Sequence, residues 1–175
     1  MKYLIDLDLR RCVACGACTV ACMDQNDIEP QFGDRPLRRV TAVEEGEGSG
    51  SVFTYLSMAC MHCSDAICIA ACPVGCISRD EETGFVVYDN ARCIGCRSCA
   101  LACPFGAPTF DRSGKMRKCD GCNDRVKAGL EPACVRVCPV SALKLTTEEE
   151  YLEEAAADTA LSLTAAADAL RSRTK

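Results

Sequence analysis

Aromatic residues are scarce in this chain, which has no tryptophan, four tyrosines and five phenylalanines among its 175 residues. An aromatic core is therefore excluded, and leucine, isoleucine, valine and alanine must supply the apolar packing. No apolar run approaches the roughly 20 residues that a transmembrane helix needs, so the protein is expected to be soluble or carried by a partner. Residues 1–6 contain an acidic residue where a signal peptide needs its apolar stretch, so we expect no secretion.

Basic charge is also in deficit, because 20 lysines and arginines face 25 aspartates and glutamates, for a formal net charge of −5. Such a chain repels phosphates, so neither a nucleic acid nor an anionic membrane surface is an expected partner. His62 is the single histidine, and no catalytic acid–base set stands out. We therefore expect no active site.

Cysteine is the residue that sets the class, with 17 copies in 175 residues. This density indicates either a small secreted disulfide scaffold or a metal protein. The odd number of cysteines argues against a disulfide scaffold, and a reducing cytosol would keep the thiols from pairing. The cysteines are therefore expected to bind metal.

Sixteen of the cysteines form four groups of four, and Cys76 is left over. The groups are Cys12, Cys15, Cys18 and Cys22; Cys60, Cys63, Cys68 and Cys72; Cys93, Cys96, Cys99 and Cys103; and Cys119, Cys122, Cys134 and Cys138. All four groups end in x3-C, and a proline follows the last three, at Pro73, Pro104 and Pro139. The third group has the C-x2-C-x2-C-x3-C-P spacing of bacterial two-cluster ferredoxins.

This spacing has a direct physical meaning. Three thiolates on one tight loop reach three corners of a 4Fe-4S cubane, and the backbone N–H groups of the loop point at its sulfurs. The fourth cysteine begins the next turn, faces away, and reaches the other cluster of the pair. Zinc also favours paired C-x2-C motifs, but it gives no reason for a third cysteine two residues further on.

Applied to all four groups, the crossed rule predicts four 4Fe-4S clusters, each held by four thiolates. Site 1 is Cys12, Cys15, Cys18 and Cys138; site 2 is Cys22, Cys119, Cys122 and Cys134; site 3 is Cys60, Cys63, Cys68 and Cys103; site 4 is Cys72, Cys93, Cys96 and Cys99. No iron is left open for substrate, so the predicted role is one-electron transfer and not catalysis.

Short strands flank the cysteine groups. The segments 77–79 and 85–88, joined by a turn, predict a β-hairpin between the second and third groups. These two groups therefore form a contiguous ferredoxin unit, residues 52–110.

The first and fourth groups form a second unit that is split around the first, residues 1–51 and 111–146. Pairing of the strand at 3–7 with the strand at 142–145 would close it. The predicted fold class is α+β, with two pseudo-twofold-related bacterial two-cluster ferredoxin units, one inserted in the other, plus a C-terminal α-helix. Residues 44–51, rich in glycine, serine and glutamate, predict a flexible surface loop.

The C-terminal helix is predicted over residues 147–175, where Thr147 and Glu150 have capping-box spacing. One narrow apolar stripe runs along it, formed by Leu152, Ala156, Ala160, Leu163, Ala167 and Leu170. Such a stripe either packs against the chain's own core or docks on a partner or a second copy.

Three further features carry alternatives. Cys76 is expected to be a small buried thiol beneath a cluster, with a reactive thiol or an extra ligand as the other hypotheses. His62 lies between Cys60 and Cys63, and it either donates to a cluster sulfur or a partner or has an ordinary structural role. The basic run is interpreted as a solvated loop that offsets cluster charge, or as a docking surface. It comprises Arg112, Lys115, Arg117 and Lys118.

Residues 1–145 resemble the four-cluster iron–sulfur subunits of molybdopterin and tungstopterin oxidoreductases, of the dimethyl sulfoxide reductase type. They are also similar to polyferredoxin subunits of tungsten aldehyde or benzoyl-CoA-type reductases. The most specific motifs are Cys60-x2-Cys63-x4-Cys68-x3-Cys72-Pro and Lys118-Cys119-x2-Cys122-x11-Cys134-x3-Cys138-Pro. The resemblance implies crossed ligation, a pseudo-twofold ferredoxin core, and a large pterin-bearing catalytic partner.

The sequence departs from this family at Ala66, where a proline is common. Some relatives replace one cysteine of the third group by tryptophan and bind a 3Fe-4S cluster, whereas Cys96 is present here and favours four cubanes. The expected second redox partner is a flavin subunit or a ferredoxin. The compact chain and its acidic helix favour a cytoplasmic complex, although a partner's export signal would carry the subunit outward. The alternatives are a free-standing diffusible polyferredoxin and an oligomer-forming wire subunit assembled through residues 147–175.

Overall fold

The computed structural model describes residues 2–46 and 50–173, with side chains described as far as residue 165. The fold mixes short strands and short helices, as the α+β prediction requires. The strands are β1 (Tyr3–Leu7), β2 (Arg39–Glu45), β3 (Val52–Met58), β4 (Ile77–Arg79), β5 (Val86–Tyr88), β6 (Thr109–Phe110), β7 (Met116–Arg117) and β8 (Leu143–Thr147). The α-helices are α1 (Ala17–Gln25), α2 (Ile67–Ala70), α3 (Ser98–Ala102), α4 (Asn123–Lys127), α5 (Ala133–Arg136) and α6 (Glu148–Arg173).

The strands pair as four separate two-stranded antiparallel sheets. β1 pairs with β8, so that Leu7 lies opposite Leu143, and the two ends of the cysteine-rich region meet. β4 pairs with β5, with Ile77 opposite Tyr88. Both predicted pairings are confirmed. In each pair of strands, one cysteine group adjoins one strand and another cysteine group adjoins the other strand.

A hairpin between β2 and β3 was not predicted. Glu44 and Glu45 lie in β2 opposite Phe53 and Val52, so the predicted loop over residues 44–51 is wrong at its start. Residues 47–49 of that loop lie outside the described residues. The strand escaped prediction because most of β2 is exposed and carries two consecutive acids, a composition typical of loops. This hairpin runs across the predicted boundary at residue 51.

Three small apolar cores hold the fold, and each contains cysteine. The first joins Cys18, Cys134 and partly buried Cys138 with Val135 and Leu143. The second joins Cys22, Cys119 and partly buried Cys60 with Ile28, Leu37 and Ala59. The third joins Cys99 with Cys76, Ile77, Val86 and Met116, and Cys68, Cys72 and Cys93 pack against it. With apolar cores this small, we expect metal at the cysteines to contribute substantially to folding.

α6 begins as predicted. Glu150 N–H donates to Thr147 Oγ1 (3.2 Å) and Thr147 N–H donates to Glu150 Oε2 (2.9 Å), which completes the capping box. Its apolar stripe does not pack on the chain's own core where side chains are described, since Leu152 is 61% and Leu163 66% exposed. Ala167 and Leu170 lie beyond the described side chains. None of the described helices is long and apolar enough to cross a membrane.

Candidate iron–sulfur centres

Site 1 surrounds a small cavity. Its lining includes four cysteines from both ends of the cysteine-rich region, Cys12, Cys15, Cys18 and Cys138. α1 starts after Gly16, which has a left-handed backbone (φ 78°), and this turn directs Cys18 into the structure. Pairing of β1 with β8 brings Pro139 and Leu143 to the other side of the same cavity. Residues 120 positions apart therefore face one small space.

Site 4 surrounds a second small cavity of the same kind. Its cysteines are Cys72, Cys93, Cys96 and Cys99, and Cys76 joins the lining. Arg97 has a left-handed backbone (φ 66°) and precedes α3, which places Cys99 in the core. The arrangement repeats that of Gly16 and Cys18 at site 1.

Site 2 is the most buried of the four sites, because Cys22, Cys119 and Cys134 are each at most 8% exposed. Burial raises the pKa of Cys22 to about 12, and the nearby thiolates of Cys119, Cys134 and Cys122 raise it further. Burial likewise raises the pKa of Cys122 to about 11. Cys119, Cys122 and Cys134 therefore lie near enough to Cys22 to disfavour its ionisation.

Site 3 is half-buried throughout. Burial raises the pKa of Cys68, and Cys103 adds to this rise. Burial also raises the pKa of Cys60, with Cys119 and Cys68 as smaller contributors. Cys63 is fixed through its carbonyl, which accepts a hydrogen bond from the Arg79 guanidinium.

A repeated backbone feature links the four cysteine groups. In each group the residue two positions after the first cysteine has positive φ: Ala14 (55°), His62 (46°), Gly95 (71°) and Gly121 (75°). Such left-handed residues turn successive N–H groups toward one side of a loop and create a concavity for anions. Only two of these four positions hold glycine, so the sequence alone reveals the repeat only in part.

Backbone N–H groups also donate to cysteine sulfurs. Cys76 N–H donates to Cys72 Sγ (3.3 Å) and Ala142 N–H donates to Cys138 Sγ (3.2 Å), each from four residues further on. Burial raises the pKa of Cys138, but hydrogen bonds from Leu143 and Ala142 outweigh it and bring the pKa below its ordinary value. The pKa of Cys72 is also lowered, because hydrogen bonds from Cys76 outweigh the effect of burial. These N–H groups stabilise thiolates, as iron ligation requires.

Cys76 is a buried thiol, 5% exposed, with its sulfur 3.4 Å from Cys72 Sγ. Burial raises its pKa to about 12, and the neighbouring Cys72 thiolate adds to the effect. Its burial beside the cavity of site 4 agrees with the buried-thiol interpretation.

The His62 ring packs against the Phe85 ring, with the two ring centroids 4.8 Å apart. Its Nδ1 accepts from the backbone N–H of Val86 (2.9 Å), which places its proton on Nε2. Burial is the main cause that lowers its pKa well below the ordinary value, and Lys118 and Arg79 lower it further. Its Nε2 is buried without a hydrogen-bond partner among the described residues.

The basic run is not a uniform solvated loop. Arg112 is exposed and pairs with Glu29 (3.0 Å), as that interpretation expects. Lys118, however, is 1% exposed and donates to the carbonyls of Val86 and Cys119. The prediction is therefore wrong for Lys118, because long-range contacts bury it.

Arg38 is a second buried cation, 4% exposed, that sequence reasoning missed. Its Nη1 donates to Ser57 O (3.0 Å) and Ser57 Oγ (3.1 Å), and Ser57 Oγ lies 3.2 Å from Cys18 Sγ. Its Nε is buried without a hydrogen-bond partner in the described part of the chain.

The residues present fit 4Fe-4S clusters. The donor sets are thiols, two of them face cavities, and left-handed loops with N–H to sulfur bonds suit an anionic cluster. Four thiolates around one zinc ion, each at about 2.3 Å, would stand roughly 4 Å apart. In the part of the chain whose side chains are described, no three cysteine, histidine or acidic side chains converge tightly enough to hold a single ion.

Comparison with known proteins gives one family match and several relatives. Residues 51–148 match the family described as 4Fe-4S dicluster domain. The protein is 43% identical over 148 residues to the B subunit of the anaerobic dimethyl sulfoxide reductase of Escherichia coli (strain K12), covering 81% of its own length and 72% of the relative. It is 40% identical over 151 residues to the thiosulfate reductase electron transfer subunit of Salmonella typhi, covering 85% and 78%. It is 36% identical over 161 residues to the iron–sulfur subunit of the nitrate-inducible formate dehydrogenase of E. coli, covering 84% and 55%.

Proposed function

The chain belongs to the 4Fe-4S dicluster family of iron–sulfur electron-transfer subunits, and from this premise we propose that it conducts single electrons for a molybdenum- or tungsten-pterin catalytic subunit. The electrons pass through four 4Fe-4S clusters to or from a second redox partner, such as a flavin subunit or a ferredoxin. The observation that carries the proposal is the cavity that Cys12, Cys15 and Cys18 share with Cys138, because crossed ligation demands that meeting.

The proposed ligand sets are those of sites 1 to 4. The convergence of Cys22 with the fourth cysteine group supports site 2, and the cavity of Cys72 with the third group supports site 4. Site 3 is supported by the nearness of Cys103 to Cys68, since Cys103 contributes to the raised pKa of the Cys68 thiol. When bound, each cluster accepts and releases one electron.

We further propose that two ferredoxin units related by a pseudo-twofold axis build the chain, residues 52–110 and the split unit 1–51 with 111–146. The repeated positive φ after the first cysteine of every group supports this internal repeat. The pairing of β1 with β8 and of β4 with β5 provides one comparable edge in each unit.

The three apolar cores support a particular order of the sites. One core joins cysteines of sites 1 and 2, the next joins sites 2 and 3, and the last joins sites 3 and 4. The proposed route is therefore 1–2–3–4, with sites 2 and 3 inside and sites 1 and 4 at the ends. Cys15 and Cys96, the exposed cysteines, belong to these end sites, where partners would exchange electrons with the chain.

The relatives are named as parts of reductases and of a dehydrogenase, which favours a subunit over a free-standing shuttle. Export of the assembled complex would depend on the partner's own signal, and we propose a cytoplasmic location. The exposed stripe of α6 is available for docking to the partner or to a second copy, with Leu152 and Leu163 uncovered.

Anaerobic purification from the native source tests the proposal. We expect the chain to co-purify with a large subunit that contains molybdenum or tungsten and a pterin, and to hold about sixteen irons. A brown protein of 18.8 kDa purified alone would contradict the subunit role. A colourless, zinc-rich preparation would contradict the clusters themselves.

A further inference from the structure

Two buried cations, Arg38 and Lys118, lie among the cysteine sites. They are 4% and 1% exposed. Within the described residues, neither has a carboxylate within 4 Å, since the ion pairs there involve other cations. A buried charge without a counter-charge is strongly destabilising. The counter-charge of these two side chains must therefore come from something other than aspartate or glutamate.

Arg38 is directed toward the junction of sites 1 and 2. Through Ser57 it reaches Cys18 of site 1 by two short polar contacts, 3.1 and 3.2 Å. An arginine side chain stays protonated in a protein, so the buried guanidinium is charged. Leu37, the residue before Arg38, packs in the apolar core that contains Cys22 and Cys119 of site 2.

Lys118 lies at the junction of sites 2 and 3. Its Nζ donates to the carbonyl of Cys119, a site 2 residue, at 2.9 Å, and also to Val86 O. Val86 lies in the apolar core against which Cys68 of site 3 packs. The Tyr88 ring lies under the ammonium at 5.7 Å and completes a water-poor pocket around it.

The negative charge of the clusters would balance the positive charges of Arg38 and Lys118. An oxidised 4Fe-4S core bound by four thiolates carries a charge of −2, and reduction adds one more negative charge. Such an anion, enclosed in a low-dielectric interior, resists the extra electron unless a cation is near. Arg38 has a buried N–H with no acceptor among the described protein atoms, which is the donor that a cluster sulfur would satisfy.

Resting on the proposed function, we propose that Arg38 and Lys118 are the buried counter-charges of the clusters in sites 2 and 3 and raise their reduction potentials. The consequence is that the four clusters have similar reduction potentials. Water stabilises the reduced clusters at the exposed ends, and the two cations stabilise the reduced inner clusters, so no electron transfer along the chain is strongly unfavourable.

The test is an EPR-monitored redox titration of the full chain, purified and kept anaerobic, in wild-type and variant forms. Arg38→Gln and Lys118→Gln each remove one charge and keep a polar side chain. We expect each variant to lower the equilibrium constant for one-electron reduction of at least one cluster by tenfold or more. This corresponds to a midpoint potential lower by about 59 mV. The two variants are expected to shift different clusters, and the double variant is expected to show both shifts.

Charge-preserving and exposed controls separate charge from structure. Arg38→Lys and Lys118→Arg keep the positive charge and should restore most of each shift. The Arg10 side chain is 82% exposed, although it lies only two residues from Cys12. Arg10→Gln therefore removes an exposed cation and should leave all midpoint potentials unchanged. Should the Gln variants fail to assemble clusters while the charge-preserving variants succeed, the need for a counter-charge is shown directly.

The inference is overturned if the Gln variants hold four clusters with wild-type potentials, or if the charge-preserving variants behave like the Gln variants. Either result would assign the two side chains a purely structural role. The wild-type spectrum decides the proposed function separately, because a wild-type chain without four reducible clusters would contradict that function and not only this inference.

Discussion

The proposed inner sites 2 and 3 and the proposed outer sites 1 and 4 have cysteines in different environments. All eight inner cysteines are buried or half-buried, whereas each outer site contains one exposed cysteine, Cys15 or Cys96. The pKa values of Cys22 and Cys122 are raised by burial, whereas that of Cys96 is lowered, chiefly by the Ser98 hydroxyl. Burial therefore favours the protonated thiol at Cys22 and Cys122, whereas hydrogen bonding favours the thiolate at Cys96. Buried sites suit electron transfer within the chain, and exposed sites suit electron exchange with partner proteins.

The largest contrast is expected from ligand removal. Cys119→Ala deletes an inner ligand in the core with Cys22, and we expect loss of a whole cluster, about four irons per chain, with a lower melting temperature. Cys96→Ala deletes an exposed ligand, and we expect loss of about one iron with little change in melting. Iron analysis and circular dichroism measure both. Equal losses in the two variants would contradict the distinction between inner and outer sites.

A second contrast compares the effect of adding one methyl group at Gly121 and at Gly16. Gly121 and Gly16 both have positive φ, but a Cβ at Gly121 would lie 2.5 Å from the Phe85 ring, whereas one at Gly16 meets nothing within 4 Å. Gly16→Ala is expected to lose about 1–2 kcal/mol of unfolding free energy from backbone strain alone. Gly121→Ala should lose more, by about 1–3 kcal/mol from overpacking. Denaturant unfolding of the iron-loaded variants measures the difference, and a milder effect at Gly121 would be evidence against this packing.

A third contrast is pH dependence. With the pKa of Cys22 raised to about 12 and that of Cys122 to about 11, protons compete with iron at site 2 throughout the neutral range. Iron binding must release those protons, so affinity there should rise with pH and level off only above these values. Cys138 and Cys96 have lowered pKa values, so sites 1 and 4 should respond less. Reconstitution at pH 7 and pH 9, followed by EPR, would show the outer clusters filling first at the lower pH.

The smallest effect is expected at Cys76. Cys76→Ala gives site 4 the residue that Ala142 supplies beside Cys138 of site 1, and it removes the contact with Cys72 Sγ. We expect four clusters to remain, and one midpoint to fall by less than about 59 mV, because a weak S–H donor is lost. Loss of the cluster in this variant would instead identify Cys76 as a ligand.

The sequence predicted the features that depend on local spacing. The cysteine runs indicated paired loops, and the strands β1, β4, β5 and β8 followed because short apolar segments flank those runs. The capping box before α6 was likewise readable, since it needs only Thr147 and Glu150 at the right separation.

Features that depend on distant contacts escaped prediction. Arg38 is one of three arginines within residues 35–39, and nothing in that segment indicates which one is buried. Lys118 belongs to a run of cations that resembles a solvated loop, and it is buried by contacts with distant residues such as Val86, 32 positions away. The β2 strand was hidden because its side chains face water and lack an apolar alternation.

Closure of the fold by β1 and β8 has a consequence for biosynthesis. The cysteines proposed for sites 3 and 4 have all left the ribosome once residue 103 is out, whereas sites 1 and 2 wait for residue 138, and the closing strand ends at Thr147. At roughly 5–20 residues per second, the N-terminal thiols stay unpaired for several seconds while the middle of the chain is already competent. Chain connectivity thus predicts an order of iron delivery in which the proposed inserted unit is completed before the unit that encloses it.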